Sequence, residues 1–130
     1  MGRNRCRIKI LFQNQRAMDL IQFETELRNE LQLIPYVTQI DIKKRTPISL
    51  RGLIGLQKNY ELTVFFNETF YIISFSLIFK DKRIWGIDRD NRIGWHKHPF
   101  ENPELHEPIN KMSIAEIITA FNEVCRKIYE

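Results

Sequence analysis

Hydrophobic positions along this chain change period several times, and each change marks an expected element. Cys6, Ile8, Ile10 and Phe12 alternate with Arg7, Lys9 and Leu11, which reads as a first strand. From about Gln15 the spacing shifts. Leu20, Phe23, Leu27, Leu31 and Ile34 recur three and four residues apart, which predicts an amphipathic helix. Pro35 disfavours helical geometry at the residue before it, so the helix is expected to stop near Leu33. Tyr36, Thr38, Ile40 and Ile42 then alternate as a half-buried strand.

Residues 45–59 break the pattern, because Pro47, Gly52 and Gly55 interrupt Ile48, Leu50, Leu53, Ile54 and Leu56. A loop packed on the core and a short irregular strand both fit them. No Lys-Ser/Thr follows the glycines, so they are not a phosphate-binding loop. Beyond them Tyr60, Leu62, Val64 and Phe66 alternate, Asn67-Glu68 offers a turn, and residues 70–80 are rich in aromatic and β-branched types. Asp81-Lys82 offers a second turn before residues 83–88. Short connections of this kind favour antiparallel hairpins. Ser113 and Glu116 then fit a capping box, and Ile114, Ile117, Ile118, Phe121, Val124, Cys125 and Ile128 mark one face of a closing helix. The expected fold is α+β: a mainly antiparallel sheet with one helix from the N-terminal half and one C-terminal helix packed on it.

Length and composition fit one domain spanning residues 1–130, with 43% hydrophobic and 12% aromatic residues. No run approaches the roughly 20 apolar residues that cross a bilayer, and the apolar stretch after the basic start is too short for a signal peptide. A cytoplasmic protein without a membrane partner is therefore expected. Cys6 and Cys125, near opposite ends, read as small buried hydrophobes in a reducing compartment. Charge is uneven. Residues 1–65 hold 11 Lys/Arg against 6 Asp/Glu, and residues 66–130 hold 9 against 10. Two acid-free groups, Arg3, Arg5, Arg7 and Lys9, then Lys43, Lys44, Arg45, Arg51 and Lys58, are candidate contacts for a nucleic-acid backbone. A merely solvated basic surface is the plainer reading.

The candidate chemistry lies in the only three histidines, which fall within eleven residues: His96, His98 and His106. His96 and His98 point the same way if the backbone there is extended. The cluster admits three readings. Its rings can be structural, stacked on Trp95 or Phe100. All three can ligate zinc, leaving a position for water, although no stronger zinc signature accompanies them. Or they perform metal-free acid–base chemistry on RNA, and this is the reading the sequence favours. His96 and His98 would then exchange protons while Arg89 and Lys97 stabilise the phosphorane charge. Asp88 would orient a histidine, and Trp95 could stack on an unpaired base. Asp88-Arg89-Asp90-Asn91-Arg92 fails as a calcium loop, because Arg92 takes a ligand position and Gly94 comes one residue late.

From about Tyr71 onward the chain resembles the TumE-like toxin components of prokaryotic toxin–antitoxin systems. The likeness lies in a strand-rich stretch, Asp88-Arg89-Asp90-Asn91, His96-Lys97-His98-Pro99 and a closing helix. The chain departs from the family where an Arg-Tyr-Asp-Asn-like run is expected, and its loop has fewer histidines. The resemblance implies a small cytoplasmic protein that inhibits growth when free and is bound by a cognate antitoxin. Together these readings lead to an expected endoribonuclease that needs no cofactor. The competing expectation is a non-catalytic module that binds nucleic acid or protein and whose histidines are structural.

Overall fold

The computed structural model describes residues 18–130. The strand expected at Cys6–Phe12 and the basic residues Arg3, Arg5 and Arg7 lie outside them. Helix α1 (Leu20–Leu31) is followed by strands β1 (Val37–Thr46), β2 (Ser49–Leu56), β3 (Glu61–Asn67), β4 (Ile72–Phe79), β5 (Lys82–Asp90), β6 (Gly94–His98) and β7 (Glu107–Pro108). Helix α2 (Ile114–Tyr129) closes the chain. The strands form one seven-stranded sheet in sequence order, every neighbouring pair antiparallel. This is the α+β architecture that the hydrophobic periods predict. Among the described residues no helix is long and apolar enough to cross a membrane.

Both helices are set by local chemistry. Asp19 caps α1 by accepting a hydrogen bond from the Gln22 N–H at 2.8 Å, and the Glu68 carboxylate accepts from the Leu20 N–H at 2.7 Å. The helix ends at Leu31, two residues before the limit set by Pro35, and it buries Leu20, Phe23, Leu27 and Leu31. Helix α2 begins with the expected capping box between Ser113 and Glu116. The core lies between the helices and one face of the sheet. Phe23 stacks on Phe66 at 4.2 Å and tilts against Phe75, while Phe121 packs on Trp85.

Residues 49–56, ambiguous in the sequence, form a regular strand. Leu50, Gly52, Ile54 and Leu56 face the core, while Arg51 and Leu53 face outward. Gly52 sits where a Cβ would come within 3.2 Å of Ile54 Cδ1 and 3.5 Å of Val64 Cβ, so a core position reads as a break in the apolar pattern. The turn between β4 and β5 falls at Lys80-Asp81, one residue before the expected place. Both residues take positive φ, at 51° and 64°, the geometry that matches a two-residue hairpin to the twist of its strands.

One irregularity shapes the site. Ile78 pairs with Arg83 but Leu77 pairs with Trp85, so Ile84 is an extra residue in β5. Without this bulge Arg83 and Trp85, two apart, would share a face. With it, Trp85 enters the core and Arg83 turns to the opposite face, which carries no helix among the described residues.

Candidate functional site

Side chains on the helix-free face follow from the pairing register. Asp88 pairs with His96 and Gly86 with His98, and paired residues share a face. The carboxylate and two imidazoles therefore converge on the side of the sheet away from the core. A loop folds over them. The Asn102 N–H donates to the Pro99 carbonyl at 3.1 Å, and the Leu105 N–H donates to the Asn102 carbonyl at 3.1 Å. These two turns curl the chain back and bring His106 beside the pair, its ring centre 4.6 Å from that of His98 and 5.6 Å from that of His96. His96 and His98 are only 2% and 7% exposed, whereas His106 is exposed.

Each buried ring is oriented by a backbone carbonyl. His96 Nδ1 lies 2.9 Å from the Gly94 carbonyl oxygen and His98 Nδ1 lies 2.9 Å from that of Pro103. A carbonyl only accepts, so both Nδ1 atoms carry the proton and donate it. Gly94 reaches this position with φ of 81°, in the left-handed region that favours glycine. The two Nε2 atoms then point at one oxygen, Asp88 Oδ2, at 3.4 Å for His96 and 3.2 Å for His98. The other carboxylate oxygen, Oδ1, accepts a 2.7 Å hydrogen bond from Arg83 Nη2, which also reaches the Phe75 carbonyl at 3.3 Å. Burial lowers the His98 pKa. The Pro103 carbonyl opposes that effect and the Arg83 guanidinium adds to it.

Arg83 occupies its place because residue 86 has no side chain. The guanidinium lies directly over Gly86, where a Cβ would overlap Nη2, Nε and Cζ. Beside this group opens a cleft of about 460 Å³, lined by Lys82, Arg83, Ile84, His98, Pro103, Glu104 and His106. Two histidines and two cations thus face one space that a small ligand can enter.

The expected site residues separate into two sets. Asp88, His96, His98 and His106 come together. Arg89, Trp95 and Lys97 do not join them, because period-two alternation directs them to the opposite face. Arg89 donates to the Tyr71 carbonyl at 2.8 Å and to Asn91 Oδ1 at 2.7 Å, and it stacks over the Tyr71 ring, so it braces a turn. Trp95 packs edge-on against the same ring. Lys97 pairs with Ile87, a core residue. The cation that reaches the histidine face is Arg83, which the sequence reading passed over; Lys82, paired with Phe79, contributes only to the lining of the cleft. The bulge that redirects Arg83 depends on pairing and left no mark in the local pattern. Asp88, Arg89 and Asp90, which open the failed calcium-loop pattern, end strand β5, and Asp90 accepts from the Ile93 and Arg92 N–H groups in the tight turn that follows.

The basic group divides in the same way. Lys43 and Arg51 pair on the helix-free face, while Lys44 pairs with Leu50 and takes the other face. Arg45 is exposed at the end of β1, beside an irregularity in register. Following the pairings outward from Lys43 gives Arg51, Phe65, Ser74, Asp88 and His96 in one row across six strands. At about 4.8 Å per strand the row spans roughly 24 Å. A depression of about 190 Å³ lined by Arg51, Thr63, Val64, Phe65 and Ser74 lies along it.

Comparison of the chain with protein-family models, with curated proteins and with solved structures finds no match. The functional reading therefore rests on residues and geometry.

Proposed function

We propose that this protein cleaves single-stranded RNA at the histidine cluster and acts as the toxin of a toxin–antitoxin pair. The observation that carries the reading is the cross-strand row that leads from two exposed cations, past a half-buried aromatic ring, to the Asp88–histidine group. A single strand needs cations for its phosphates and a ring face for its bases, and the row offers both before the reactive groups. At the cleft, Lys82 and Arg83 take over the phosphate-holding role that the sequence assigned to Arg89 and Lys97. His98 and His106 are the reacting side chains that line it. The resemblance to TumE-like toxins agrees with this reading and adds an antitoxin as partner.

Untagged, full-length protein should cut a single-stranded RNA oligonucleotide, and His98→Ala and His106→Ala should each lower the rate at least about 100-fold. Arg51→Glu should weaken RNA binding and flatten its dependence on salt, since fewer counterions are released. Expression of the wild-type chain in a bacterial host should arrest growth, and His106→Ala should relieve the arrest. RNA that is bound but never cut, with or without added divalent metal, would replace the enzyme by a binding module. Full activity in the His98→Ala/His106→Ala double variant would move the chemistry elsewhere.

A further inference from the structure

We propose that Asp88, His96, His98 and His106 form a binding site for one divalent transition metal, with zinc the best match. The inference rests on the geometry of these four side chains and stands whether or not RNA is the substrate; a bound ion takes up the His98 nitrogen that proton transfer needs, so loading the site would inhibit that reaction. Its starting point is a crowding of lone pairs. With both Nδ1 protons donated to carbonyl oxygens, neutral His96 and His98 present bare Nε2 atoms, and both aim at the same carboxylate oxygen. Three electron-rich atoms so placed repel one another unless something positive lies among them.

The spacing fits a metal. Zinc binds imidazole nitrogen and carboxylate oxygen at about 2.0–2.2 Å, and tetrahedral geometry then sets neighbouring ligand atoms roughly 3.3–3.5 Å apart. The observed separations from Asp88 Oδ2 are 3.4 Å to His96 and 3.2 Å to His98. One ring nitrogen from each of the three histidines falls within 4.8 Å of the others, a wider limit than ligand spacing, so an ion would draw these rings closer together. A proton on each Nε2 would relieve the crowding as well, but a metal also gives the third imidazole, which two turns bring alongside, a partner. A set of imidazole nitrogens with one carboxylate suits zinc better than magnesium or calcium, which prefer all-oxygen shells.

The surroundings are those of a metal site. Metal-bound histidines commonly donate their second N–H to a carbonyl, which fixes ring and tautomer, and ligating carboxylates are themselves hydrogen-bonded. Here Gly94 and Pro103 hold the rings and Arg83 holds Asp88. In the sequence the three histidines stand without a stronger zinc signature. Asp88 supplies a fourth ligand, eight residues upstream of His96 but directly across the strand pair. The exposed His106 and the adjoining cleft give the ion a route in.

The test uses untagged full-length protein purified without chelator. Elemental analysis should find close to one zinc per chain. Zinc added to chelator-stripped protein should raise the thermal midpoint, because an ion that binds only the folded state stabilises it by mass action. Cobalt(II) in place of zinc should give the intense visible bands of a tetrahedral site. His106→Ala, which removes an exposed side chain and leaves the fold intact, should weaken zinc binding at least about 10-fold and abolish those bands. Asp88→Asn should weaken binding on the same scale. Stripped protein that shows no stabilisation by zinc, or zinc affinity unchanged in both variants, would overturn the proposal. Zinc-loaded protein that cuts no RNA, and still cuts none once the zinc is stripped, would remove the RNA reading and leave this one standing. RNA cleavage in excess EDTA by protein that never binds zinc would do the reverse.

Discussion

Gly86→Ala tests whether Arg83 owes its position to a missing side chain. A methyl group at residue 86 overlaps three atoms of the guanidinium, so Arg83 has to swing away. Two hydrogen bonds go with it, the 2.7 Å bond to Asp88 and the longer 3.3 Å bond to the Phe75 carbonyl. Hydrogen bonds to charged groups contribute about 1.5–3 kcal/mol. The Arg83 side chain is 28% exposed, so water recovers part of the loss and the low end of that range applies to the pair of bonds together. Alanine in a strand interior is itself better than glycine by about 0.5–1 kcal/mol. The net effect of Gly86→Ala is then a destabilisation of about 1 kcal/mol. In an Arg83→Ala background there is nothing to displace, and the same substitution should stabilise by about 0.5–1 kcal/mol. Urea unfolding of wild type, both single variants and the double variant, all in EDTA, measures the coupling, expected at about 1.5–2 kcal/mol. A coupling below about 0.5 kcal/mol would mean that Arg83 is not held over Gly86, and the described Arg83–Asp88 bond would lose its basis.

Two further outcomes follow from the C-terminal helix. The Ser113 backbone N–H, and then its hydroxyl, hold the Glu116 carboxyl below its ordinary value of 4.5. A depressed folded-state pKa stabilises the fold above the unfolded value and the benefit fades as pH falls through the folded one. The stability difference between wild type and Glu116→Gln should therefore be flat above about pH 5 and shrink below 4.5, whereas a constant difference down to pH 3 would contradict the capping box. Burial pushes the Cys125 thiol up to about 12, so in a Cys6→Ser variant native protein should resist thiol reagents and react only on unfolding. Fast reaction of the folded variant would place Cys125 at the surface.

What the sequence determined is what local rules govern. The apolar stripes of α1 and α2, the Ser113–Glu116 cap and the alternation of β3 follow from residues within one or two turns of each other, whose hydrogen bonds and burial need no distant partner. The same period-two rule puts His96 and His98 on one face and also excludes Lys97, which lies between them. Tertiary structure decided the rest, because it depends on which strands pair and in what register. Glycine at a core position disguised β2, since a glycine contributes no apolar signal however deeply it is buried. The extra residue in β5 sent Arg83 to the histidines and Trp85 to the core, and a bulge is defined only against the partner strand. Asp88 meets His96 through cross-strand pairing rather than proximity in sequence. His106 arrives because two turns in residues 99–105 reverse the chain above the sheet. Residue types showed where chemistry concentrates, but the arrangement of a carboxylate and three imidazoles around one point came from the sheet's register and the loop folded over it.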